Sequence, residues 1–178
     1  MAVLKDSGER RQFESGAVRD IQEGKGRCDL LPLEVVAELM DTNEAFVLVN
    51  DIADYIESGN VNMLYEAIRR FFQIRGWSNF EGILEVAKQY EDGAVKYGER
   101  NWEKGILIHC YIDSGIRHFL KYMSGMDDEP HDRAFVWNML GAIWTHKHLP
   151  HLIDLPFKVV SDKKSRIPEV HTVLLNNN

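Results

Sequence analysis

The stretch Ala134–Trp144, AFVWNMLGAIW, constrains the fold more than any other part of the chain. It is apolar around the whole helical circumference. A helix of that kind has no face to give to water and belongs in the middle of a structure. The other elements must then wrap it, and the sequence supplies helices for that purpose. Pro32 opens a first helix, with Leu33, Val36, Ala37 and Met40 at helical spacing. A second starts after Asp41-Thr42-Asn43, which are good N-caps, and runs to about Ser58 before Gly59-Asn60. A third covers Val61 to Arg75, with Leu64, Ala67, Ile68, Phe71 and Phe72 as its stripe and Gly76 as its stop. Ser78 or Asn79 caps a fourth, Phe80 to Tyr97, with Ile83, Val86, Ala87 and Tyr90 on one face. A fifth runs from Ile108 to Ser124, and the sixth, central one from Pro130 to His148.

Strand-type alternation is nearly absent, and four glycines break up the first 29 residues. The expectation is an all-α protein: a compact bundle of five to six helices with an irregular N-terminal arm and a C-terminal tail. The expected organisation is an arm over 1–31 that contributes to the site, a helical nucleotide-binding domain over 32–150, and a tail over 151–178 that packs as an arm or short strand. At 178 residues this is one domain with appendages.

Charge and cysteine content narrow the function. A net charge of -7 argues against general nucleic-acid binding, so no direct nucleic-acid contact is expected. No apolar run approaches the roughly 20 residues of a membrane span, so no membrane partner is expected. The N-terminus lacks the apolar core of a secretory signal. Two cysteines, Cys28 and Cys110, make neither a disulfide framework nor a four-ligand zinc site, and they read as core or bystander thiols of a cytoplasmic protein.

Against that acidic background, two loops concentrate cations and aromatics. Lys25-Gly26-Arg27 offers close backbone approach and phosphate-binding charge, although it lacks the spacing of a Walker loop. In the second loop, Lys96 and Arg100 can meet phosphate, Tyr97 and Trp102 can stack on a base, and Asn101 can read a base edge. A linker turn accounts for either loop equally well. On the fifth helix Asp113, Arg117 and Lys121 stand at four-residue steps, with His118 beside them. They make either an ion-pair ladder or a phosphate-facing row.

The segment Asp127-Asp128-Glu129-Pro130-His131-Asp132 is rich in metal ligands. Asp128, Glu129, His131, Asp132 and the lone amide of the central helix, Asn138, are candidates for Mg2+ or Mn2+, which bridge carboxylates and phosphates. The plainer alternative is an acidic turn capping the helix, with Asn138 as a packing hydrogen bond. His118 with His131-Asp132 also suggests a metal site of the HD phosphohydrolase kind. Asp113, His118 and Asp132 are the catalytic candidates. His146, His148 and His151 read as helix-end residues.

Four phrases, FESGAVRDIQEGKGRCDLLP, KQYEDGAVKYGERNWEKG, YIDSGIRHFLKYMSG and DDEPHDRAFVWNMLGAIW, resemble the dATP/dGTP diphosphohydrolase N-terminal family. This is a bacteriophage and prophage family similar to the MazG-like all-α nucleotide pyrophosphohydrolases. The resemblance covers about Phe13–Pro32 and Glu85–Trp144, and Glu34 to Phe80 looks like an insertion relative to shorter members. It implies Mg2+-dependent cleavage of a purine deoxynucleoside triphosphate to monophosphate and pyrophosphate, in the cytoplasm of a bacterial host. The MazG-like pattern pairs ExxE on one helix with ExxD on the next. Here the fifth helix offers Asp113 and His118, and the sixth offers Glu129, Asp132 and Asn138. That departure leaves a second reading, a non-catalytic protein that sequesters a nucleotide immune signal. A third is a helical structural protein whose loops serve oligomer contacts. A homo-oligomer is expected under all three, since a fully apolar helix often completes its surroundings across an interface.

Overall fold

The computed structural model of the protein describes residues 9–157. Six α-helices form where caps and stripes predict them: α1 (Leu33–Ala37), α2 (Asn43–Ser58), α3 (Asn62–Arg75), α4 (Asn79–Tyr97), α5 (Ile108–Met123) and α6 (His131–His148). Local chemistry sets their ends. The Thr42 hydroxyl accepts from the Ala45 amide at the start of α2. Ser78 and Glu81 form a reciprocal capping box at the start of α4. Gly59 and Gly76, both left-handed, end α2 and α3. Among the described residues no helix is long and apolar enough to cross a membrane.

The central helix is α6. Ala134, Phe135, Val136, Met139, Ala142 and Ile143 are buried around it, with α5, α4 and α3 packed on its sides. Phe71 of α3 meets Phe135 of α6 with ring centroids 4.6 Å apart, and Phe119 of α5 meets Phe135 at 5.7 Å. The most extensive helix contact is between α5 and α6, and glycines on both helices make room for it. The Tyr111 ring lies against Gly141, and the Met139 side chain lies against Gly115.

Three local features differ from the sequence reading. The arm holds a two-stranded antiparallel hairpin, β1 (Arg10–Gln12) and β2 (Val18–Asp20), with Arg11 opposite Arg19. A turn from Phe13 to Ala17 closes it, with Gly16 at φ +81°. Strands of three residues, RRQ and VRD, are too short and too charged to show alternation. Second, α1 is one short turn and a half. It has no side-chain cap, and its Val35 is exposed. Third, α4 is rotated from the expected stripe. Gly82, Val86 and Gln89 are its buried residues, while Ile83, Leu84 and Phe80 are exposed and Ala87 faces out with them. The Phe72 ring takes the space over Gly82, so that face of α4 is turned to α3. The part of the expected tail over 158–178 lies outside the described residues.

Candidate functional site: a cationic cleft under the hairpin

The hairpin lies across the bundle because its side chains are tied down one by one. Asn101 holds β2 with both ends of its amide, accepting from the Val18 N–H at 3.0 Å and donating to the Val18 carbonyl at 2.9 Å. Asp20 accepts from Lys96 Nζ at 2.6 Å and from the Tyr97 hydroxyl at 2.8 Å, which fixes the strand end to α4. Arg19 reaches across to α6. It donates to Asn138 Oδ1 at 2.8 Å and to the Cys110 carbonyl at 3.2 Å, and its guanidinium lies over the rings of Tyr111 and Trp137. Asn138 in turn donates to the Ala134 carbonyl at 2.8 Å, so both ends of this buried amide are used. Asp113, fully buried on α5, accepts from Gln22 Nε2 at 2.5 Å, from the Cys28 N–H at 2.7 Å and from Arg117.

This tethering leaves a cleft of about 620 Å3 between the hairpin and α4, α5 and α6. Six cations line it: Arg11, Arg19, Lys25, Lys96, Arg117 and Lys121. Three carboxylates face them, Asp20, Asp128 and Glu129. A chain with net charge -7 has thus gathered an excess of positive charge in one concavity, and such a cleft attracts anions. The wall from α4 carries Gln89 and Gly93. Gln89 is buried, and its Oε1 has no hydrogen-bond partner among the described residues. An orphaned buried acceptor costs free energy unless a ligand or water meets it. A second hollow of about 410 Å3, bearing Tyr90 and Trp102, adjoins the cleft and shares Gly93, Tyr97, Asn101 and Trp137 with it.

At the opposite end stand two histidines. His118 of α5 and His131 at the first turn of α6 face each other with their Nδ1 atoms 2.9 Å apart. Glu129 Oε1 is 3.7 Å from each. His131 Nε2 is 2.8 Å from Asp128 Oδ1, and Lys121 Nζ is 3.1 Å from Asp128 Oδ2. Loss of solvent, followed by the neighbouring His131 and the surrounding cations, pushes the His118 imidazole down to about 3, so it is neutral at physiological pH. The bond from His131, with help from Lys121, holds the Asp128 carboxyl down to about 2.

The remaining sequence candidates are placed as follows. Asp132 points away from the histidine pair, accepting from Arg75 Nε at 3.0 Å and from the Arg133 N–H. Arg27 is clamped to Asp29 outside the cleft, with contacts of 2.7 and 2.5 Å. Lys25 lines the cleft edge. Arg100 is exposed and paired with Glu103. Trp102 packs edge-on between Tyr90 and Trp144, with ring centroids 5.7 and 5.1 Å away. The ladder of Asp113, Arg117 and Lys121 splits: Arg117 pairs with Asp113, and Lys121 turns to Asp128.

One cleft residue escaped sequence reasoning. Arg19 of β2 lines the cleft against Asn138 of α6, and only the hairpin brings it there. Cys110 is a buried core thiol that also borders the cleft, with its Sγ 3.2 Å from His109 Nε2, while His109 Nδ1 bonds Asp154.

Comparison with known proteins agrees with the resemblance on the helices that carry this cleft. The profile of a family described as "dATP/dGTP diphosphohydrolase, N-terminal" matches residues 72–154. That span runs from the end of α3 through α6 and contains His118, Glu129 and His131. The hairpin and the phrase Phe13–Pro32 lie outside it. No curated protein and no solved structure matches the chain.

Proposed function

We propose, for a chain whose residues 72–154 match that family, that the cleft binds a purine deoxynucleoside triphosphate and that the protein hydrolyses it to monophosphate and pyrophosphate. The observation that carries this reading is the juxtaposition in one cleft of six cations with the His118–Glu129–His131 cluster. The triphosphate lies along Arg19, Arg117, Lys121 and Lys25, which neutralise it and stabilise charge developing on its oxygens. In the reaction a water oxygen bonds to the α-phosphorus, the bond to the bridging α–β oxygen breaks, and pyrophosphate leaves with that oxygen. His118 stands on the cleft wall and positions the attacking water by a hydrogen bond; its imidazole, held down to about 3, is too weak a base to keep the water's proton, which passes to solvent.

The base lies at the other end, toward the wall shared with the aromatic hollow. Gln89 offers that end a donor and an unpartnered acceptor. The 6-amino group and N1 of adenine complement one orientation of a carboxamide, and O6 and N1–H of guanine complement its half-turn. One glutamine therefore suits both purines named in the family description. Trp137 supplies the apolar surface. Asn101, by contrast, has both amide ends engaged by Val18.

The resemblance implies Mg2+. The donors that converge here are two imidazole nitrogens and one carboxylate oxygen. Magnesium takes hard oxygen ligands in a near-ideal octahedron, and this donor set does not fit it, so the steps above are assigned to the chain's own residues. The test is incubation with dATP, dGTP, dCTP and dTTP, with Mn2+ or Mg2+ supplied, followed by chromatography. Equal amounts of monophosphate and pyrophosphate from the purines are expected. Release of inorganic triphosphate, or turnover confined to pyrimidines, contradicts the assignment.

A further inference from the structure

We infer that His118, Glu129 and His131 form a binding site for a first-row transition-metal dication, of the manganese-to-zinc series, in preference to magnesium. The spacing is that of ligands around one ion. With metal–ligand bonds of about 2.0–2.2 Å, adjacent donors sit roughly 3.0 Å apart in an octahedral shell and roughly 3.4 Å apart in a tetrahedral one. The three separations found are 2.9, 3.7 and 3.7 Å, with all three donor atoms within 4.8 Å of one another.

A second observation points the same way. His131 uses Nε2 to bond the Asp128 carboxylate at 2.8 Å. That contact fixes the tautomer in which Nδ1 carries the lone pair, and a carboxylate behind a ligating histidine is the usual support of a metal centre. His118 then donates its Nδ1 proton to His131 when no ion is present, and binds the ion by moving that proton to Nε2, with no change of net charge. Lys121 lies nearer to Asp128 than to Glu129, at 3.1 against 3.9 Å, so its ammonium neutralises the supporting carboxylate and leaves Glu129 turned to the histidines. Imidazole nitrogen selects borderline cations such as Zn2+ and Fe2+ over Mg2+. The support is rigid, since α5 and α6 meet at Gly115 and Gly141.

This inference adds a cofactor to the reading of a nucleotide hydrolase without needing it, because ion binding is read with no nucleotide present. The full chain is titrated with Co2+, whose visible d–d bands report its ligands, and with Mn2+, Zn2+ and Mg2+ by calorimetry. One equivalent of Co2+ is expected, with Mg2+ at least a hundredfold weaker. His131→Ala and Glu129→Gln should each weaken Co2+ binding by about 10–100-fold. If His131→Ala, which removes a buried side chain, loses its helical circular dichroism, His118→Gln on the cleft wall carries the same test. Absence of a Co2+ band, equal affinity for Mg2+, or Co2+ binding unchanged in folded His118→Gln overturns the inference. Should Co2+ bind as expected while no nucleotide is hydrolysed, the metal site stands and the hydrolase reading falls.

Discussion

At the scale of single residues, the histidine pair and its neighbour Asp132 separate two roles that the sequence left together. His118 stands on the cleft wall, whereas Asp132 is held by Arg75 on the outside of α6. His118→Ala should therefore lower kcat by about 10²-fold, the order of loss when a reacting group is misplaced. Asp132→Asn, which removes a partly exposed ion pair, should cost about 1 kcal/mol of stability or less and little turnover. Parallel kinetics and thermal melts of the two variants check this. A second residue-scale consequence concerns pH. Hydrogen bonding to Asp154 pushes the His109 imidazole up to about 10. Burial raises Asp154, but the bonds from His109 outweigh it and hold its carboxyl below the usual range. The pair thus contributes fully between the ordinary carboxylate and imidazole ranges, and its contribution is lost as pH rises from about 6.5 through about 10. The pair is partly exposed and screened, so the loss is about 1 kcal/mol, a fall in Tm of about 2–4 °C. Melting curves between pH 6 and 10.5 should show this fall in the native chain and not in Asp154→Asn.

At the scale of elements, two helical glycines give opposite predictions. Gly141 of α6 faces the buried Tyr111 ring, so Gly141→Ala forces the α5–α6 contact apart and should destabilise by about 1–3 kcal/mol. Nothing lies within 4 Å of a Cβ built on Gly93 of α4, so Gly93→Ala should stabilise by about 0.5–1 kcal/mol. Its methyl group would stand in the cleft, so nucleotide affinity should fall while Tm rises. Denaturant titration with a binding isotherm on each variant reads both effects. The arm makes a further element-scale prediction. Asp113→Ala leaves Arg117 largely buried without its partner and releases Gln22 and the Cys28 amide, at about 3–5 kcal/mol. Limited proteolysis should then cut between β2 and α1 well before any helix.

The same elements show what could be read in advance. Helix ends were legible because their signals are local: the Ser78–Glu81 box and left-handed Gly59 and Gly76 act within a few residues. The rotation of α4 was not, because the contacts along its buried face, such as Phe72 on Gly82, join different helices. The hairpin was hidden for a related reason. Three-residue strands gain their stability from Asn101, Asp20 and Asp113 contacts that span 76 to 91 positions of sequence.

For the whole molecule, the site is a product of assembly. His118 and His131 are 13 residues apart, and only the packing of α5 on α6 makes them neighbours. The sequence marked both as ligands, and marked Lys25, Lys96, Arg117 and Lys121 for phosphate, because charge and residue type can be read without a fold. It had no means to assign Asn101 to the hairpin or to draw Arg19 into the cleft, since both depend on where the arm lies. The central claim is that this cleft receives the nucleotide, with its phosphates by the histidine pair and its base by Gln89. The most direct measurement is a crystal structure of the protein with an α,β-methylene analogue of dGTP. The account predicts a triphosphate between Arg19, Arg117 and Lys121, with the guanine edge on the Gln89 amide. An analogue bound elsewhere on the bundle, or with its base among the lysines and its phosphates at Gln89, would contradict it.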